Sequence, residues 1–75
     1  MAIYVVSRSG NKNFALYTDS VVEIVSGGLN PLGDARQYAH DHTSATGEPA
    51  FVYEVELVHR GSYKTEKAVV FVPAK

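Results

Sequence analysis

Cysteine is missing from this chain of 75 residues, and so is tryptophan. Without cysteine there is no disulfide framework and no thiolate zinc site, and nothing ties the chain to an oxidising compartment. A domain of this size buries only about 60% of the surface its unfolded chain exposes, so its stability is marginal and self-association is one way to add to it. No apolar run approaches the length of a membrane span. The opening Met-Ala-Ile-Tyr-Val-Val-Ser-Arg lacks a basic start and has too short an apolar stretch for a signal peptide. A cytoplasmic protein without membrane contact is the resulting expectation.

Basic residues are also scarce where they would matter for polyanion binding. The net charge is −1, and residues 13–59 hold Arg36 as their one basic residue against seven acidic ones. The remaining basic residues, Arg8, Lys12, Arg60, Lys64, Lys67 and Lys75, lie in the flanks. This distribution argues against a uniformly basic surface and hence against broad phosphate-backbone binding.

What is present is an alternating C-terminal third. Between Glu48 and Pro73, Phe51, Tyr53, Val55 and Leu57 alternate with Val52, Glu54, Glu56 and Val58. A turn at Arg60-Gly61-Ser62 follows, then a return run from Tyr63 to Val72. The pattern predicts a long antiparallel hairpin. Phe51, Tyr53, Val55 and Leu57, with Val69 and Phe71, are expected to face the helix. Glu54, Glu56, Lys64 and Glu66 are expected in solvent. Val52, Val58, Val70 and Val72 then form an outer apolar group, either exposed or covered by residues 19–33.

Ile3 to Arg8 reads as a central strand, apolar on both faces. Ser9-Gly10-Asn11-Lys12 reads as a turn and Asn13–Thr18 as a second strand closing a hairpin. Asp19–Val25 is rich in β-branched residues and is assigned to a strand, with a short helix capped by Asp19 or Ser20 as the alternative. Ser26–Gly33 carries three glycines and a proline and is a loop. The helix is predicted over Asp34–Thr46, with Asp34 as N-cap, Gln37 in a capping-box position, Gly47 at C′ and Pro49 beyond. Its inward stripe is Ala35, Tyr38, Ala39, His42 and Thr46. The order β-β-(β)-α-β-β predicts a single α+β domain over residues 1–75: an antiparallel sheet of four to five strands with one helix on one face.

Chemistry-bearing clusters are few. His40-Asp41-His42 has ligand-type residues, but in a helix His40 and His42 point roughly 200° apart and cannot grip one ion. The serines, including Ser7, Ser9, Ser26 and Ser62, lie in no Gly-x-Ser-x-Gly frame. Gly27-Gly28 precedes no Gly-Lys-Ser/Thr, so it is no phosphate loop. No metal, no cofactor and no catalytic activity are expected. Five tyrosines outnumber three phenylalanines, and tyrosine is both a strand former and an interface residue.

The opening Met1–Lys12 and the segment Thr46–Val58 resemble, in style rather than by a motif, small accessory proteins encoded by bacteriophages. That resemblance implies a compact, catalytically empty protein that inhibits or redirects a host protein or a host defence complex, and it carries no functional residue with it. The reading is a protein-binding module acting by steric occlusion. Its candidate contacts are Asp34, Gln37 and Asp41 on the outer helix face and Leu29 and Leu32 in the preceding loop, the two leucines being alternatively plugs for the open side of the sheet. Two other readings stand beside it: a nucleic-acid-associated module using Arg60, Lys64 and Lys67, and a self-associating structural subunit, for which a homodimer is the simplest form.

Overall fold

The computed structural model describes residues 2–59 and 62–75, apart from the side chains of Glu66 and Lys67. Strands β1 (Ile3–Ser7), β2 (Val21–Ser26), β3 (Ala50–His59) and β4 (Ser62–Val72) form one antiparallel sheet in the order β2-β1-β3-β4, and helix α1 (Pro31–Thr46) packs on one face. The expected α+β architecture and the central position of the first strand are both present. β3 and β4 make the long hairpin, with Phe51 opposite Phe71, Val52 opposite Val70 and Leu57 opposite Tyr63.

The strand expected over Asn13–Thr18 does not form. Those residues make successive turns, closed by Phe14 N–H to Asn11 O, Tyr17 N–H to Phe14 O and Ser20 N–H to Tyr17 O. Local chemistry favours this path, because the Asn11 side chain accepts from Asn13 N–H at 2.9 Å and offers the backbone an alternative to a ladder. Both flanks of β1 are in any case taken, by β2 and by β3. The β-branched run that follows does form a strand, Val21–Ser26.

The helix starts one turn earlier than expected. Asn30, not Asp34, is the N-cap: its Oδ1 accepts from Gly33 N–H at 3.0 Å, and Pro31 takes the first helical position, where its missing N–H costs nothing. Asp34 sits within the first turn, where its charge complements the helix dipole. Gly47 closes the other end as expected, with φ 79° and its N–H bonded to Thr43 O. The extra turn brings Leu32 onto the helix and rotates the inward stripe to Leu32, Ala35, Ala39 and Thr43. Tyr38 and Thr46, expected inside, are exposed, and His42 is nearly covered.

The two faces of β3 are the reverse of the expected ones. The core under the helix is Val6, Val25, Ala35, Ala39, Ala50, Val52 and Val72, with Tyr4, Val22, Leu32 and Val70 packed around it. Phe51, Tyr53, Val55 and Leu57 face the other way. The reason is size. A helix that presents Ala35 and Ala39 lies close to a sheet, and a valine–alanine surface admits that approach where phenylalanine and tyrosine do not. Val70 and Val72, expected outside, are therefore beneath the helix, whereas Phe71 is exposed on the opposite face. Val69 is displaced by a bulge, since Tyr53 pairs with Ala68 while Val52 pairs with Val70.

Candidate interaction surface

The face of the sheet away from the helix is half covered by the segment between β1 and β2. Ser7 anchors it: its Oγ donates to Ala15 O at 3.0 Å and accepts from Ser9 N–H at 3.1 Å. Tyr53 donates its hydroxyl to Ser9 O at 2.8 Å, and Thr65 Oγ1 donates to Lys12 O at 2.9 Å. Gly10 lies against the ring of Phe51, which stacks on Phe71 with centroids 5.0 Å apart; a methyl group at Gly10 would come within 2.9 Å of that ring. Tyr53 is buried, and desolvation raises the pKa of its phenol above the ordinary value.

The other half of this face is open. A groove of about 420 Å³ is lined by Ile3, Val5, Leu16, Val21, Ile24, Ser26, Val55 and Tyr63, with no charged side chain among its walls. Ile24 is 60% exposed. Beyond Val55, which is the last β3 residue paired with β1, the hairpin continues as two strands alone and carries Leu57 and Tyr63 side by side, each 55% exposed.

The distribution of side-chain sizes is inverted. Among the described residues, the buried apolar ones are valines, alanines and Tyr53, with no leucine, isoleucine or phenylalanine. Ile24, Leu29, Leu57, Phe14 and Phe71 are all exposed. Exposed single apolar residues are ordinary, but Ile24 on the groove wall, with Leu57 beside the groove-lining Tyr63, makes an apolar surface of the kind that meets a partner.

The five contact residues inferred from sequence do not form one site. Asp34, Gln37 and Asp41 are exposed on the helix, and Gln37 Nε2 donates to Asp41 Oδ1 at 2.9 Å. Leu29 is fully exposed, whereas Leu32 packs against the core beneath the helix, so neither leucine plugs the open side of the sheet. Of the basic trio, Arg60 and the Lys67 side chain lie outside the described residues, and Lys64 stands opposite Glu56. His40 is exposed. His42 Nε2 lies 3.2 Å from the Glu48 carboxylate, whose same oxygen is 3.5 Å from Arg8 Nε. Among the described residues no three His, Cys, Asp or Glu side chains converge on a common point, and no helix is long and apolar enough to cross a membrane.

The groove escaped the sequence reading because its walls come from four strands and a turn. Its one sequence signal was that β1 and β3 are apolar on both faces, so two surfaces needed covering and a single helix could cover one.

No family model, curated protein or solved structure matches this chain.

Proposed function

We propose that this chain is a non-enzymatic protein-binding module that acts by occluding a surface of its partner, in the manner of a phage-encoded inhibitor of a host protein or defence complex. The observation that supports this reading is the inverted placement of its large apolar side chains. Ile24 and Tyr63 line an uncharged groove and Leu57 is paired beside Tyr63; interface binding energy concentrates in a few buried anchors, tyrosine prominent among them. The surface to which the reading assigns binding is therefore the open half of the sheet, in preference to the helix face of Asp34, Gln37 and Asp41. The groove suits apolar side chains of a partner, because an ion entering it would lose its hydration without gaining an opposite charge.

The test is capture of bacterial host proteins on immobilised wild-type chain, Leu57→Asp and Asp41→Lys, each first verified as folded by circular dichroism. A specific protein retained by the wild type and Asp41→Lys but lost with Leu57→Asp supports the sheet face. Equal retention by all three overturns it.

A further inference from the structure

We infer that β2 is a self-pairing edge: two copies of this chain join β2 to β2 antiparallel, making one eight-stranded sheet with both helices on the same side. This inference goes beyond the protein-binding reading and does not depend on it.

The two edges of the sheet are built differently. β4 carries Lys64, and its pairing with β3 is interrupted by irregularities at three places. Charges and bulges of that kind keep an edge from accepting another strand. β2 reads Val-Val-Glu-Ile-Val-Ser, with no proline and no basic residue, and has one irregularity, at its start near Val21. From Glu23 to Ser26 it is a regular strand with one side unpaired, which is the template that strand addition uses.

Symmetry then fixes the register. With both helices on one side, residues opposed across the seam must point to the same face, so the two-fold axis passes through a residue pair rather than between pairs. Centring on Glu23 would set two carboxylates opposite each other, which is destabilising. Centring on Val25 would oppose two valines already buried under the helix and set each exposed Ile24 against Ser26. Centring on Ile24 pairs Ile24 with Ile24 and Glu23 with Val25, within the regular strand, and separates the carboxylates. It also joins two isoleucines that are 60% exposed in the single chain. Because Ile24 is a wall of the groove, the two grooves then lie side by side on one continuous apolar surface. A dimer of this geometry presents its partner with two equivalent sites.

The absence of cysteine supplies the test. Directly opposed residues of an antiparallel pair have Cα atoms about 4.5–5.5 Å apart, within disulfide range. Ile24→Cys should therefore oxidise to a covalent dimer at least tenfold faster than Asp41→Cys, while Glu23→Cys, off the axis, should not. Untagged wild type should sediment at twice the single-chain mass at high concentration. Ile24→Lys and Ile24→Glu should each sediment as single chains, and an equimolar mixture should regain the doubled mass. Wild type of single-chain mass across the whole series, or Ile24→Cys oxidising no faster than Asp41→Cys, would overturn the inference. Leu57→Asp, which tests the protein-binding reading, should leave the dimer intact.

Discussion

The hydroxyl of Tyr53, on β3, holds the carbonyl of Ser9 at 2.8 Å across 44 positions of sequence. It fastens the turn segment to the sheet from beneath. Tyr53→Phe keeps the ring and removes this bond, and should cost about 1 kcal/mol in chemical denaturation. The same substitution should alter the alkaline limb of the stability profile. Burial raises the folded-state pKa of this phenol above the value of 10.0 that holds in the unfolded chain. The stability it confers is thus fully present below pH 10 and is lost as pH rises through the higher folded value. Tyr53→Phe should flatten that loss, which unfolding curves on either side of pH 10 would measure. An unchanged alkaline slope would remove Tyr53 as its source.

The helix cap gives a second expectation. Asn30→Ala removes the acceptor of Gly33 N–H and should lower stability by about 1 kcal/mol, independent of salt. Asp34→Ala removes only a charge near the dipole, and should cost roughly 0.3–1 kcal/mol at low ionic strength and less as salt screens it. Melting both variants at two salt concentrations separates a cap from a dipole contact.

At the other helix end the backbone, not packing, decides. Gly47 has φ 79°, and a Cβ there would meet nothing within 4 Å. Gly47→Ala should still destabilise by roughly 1 kcal/mol, because the left-handed region is costly for a side chain. Gly47→Asn should cost less, since asparagine tolerates that region. Equal losses for the two would point to a cause other than conformation.

Ala39 is fully buried between the helix and the valine face. Ala39→Glu places an unpaired carboxylate there and should cost several kcal/mol, enough to unfold a domain of this size. A thermal midpoint within a few degrees of wild type would sink the packing described for α1.

Much of this fold was legible in the sequence because its signals were local. Gly47 followed by Pro49, the period of Ala35 and Ala39, and the alternation through β3 each report on neighbours a few residues away. Three readings failed where the deciding factor was distant or a matter of degree. Asn13–Thr18 has a strand-like alternation, yet β1 had no free side to receive it. The Asn30-Pro31 start lay inside a stretch whose glycines read as loop, so the first turn and Leu32 were left out and the stripe was centred toward Tyr38. Hydrophobicity pointed β3 the wrong way, since Phe51, Tyr53, Val55 and Leu57 are the more apolar row; side-chain size decided the facing, and size matters only once the helix's own small residues are matched to it. The groove depends on all of these at once. Of the candidate contact residues, Leu32 proved to be core, while Asp34, Gln37, Asp41 and Leu29 are exposed without sharing the groove.

The position of β1 between β2 and β3 has a consequence for how the chain reaches its folded state. One neighbour of Ile3–Ser7 comes from the same half of the chain, but the other, Ala50–His59, arrives only after the helix and both connections have been spanned. Closing so long a loop costs entropy before any contact offsets it, and domains dominated by such pairings fold slowly. The barrier should therefore be crossed when the C-terminal hairpin docks on β1, and substitutions along that seam, such as Val6→Ala or Val52→Ala, should slow refolding more than they speed unfolding. A fragment ending before Ala50 would retain the helix sequence and two strands but lack the nucleus that makes them cooperative.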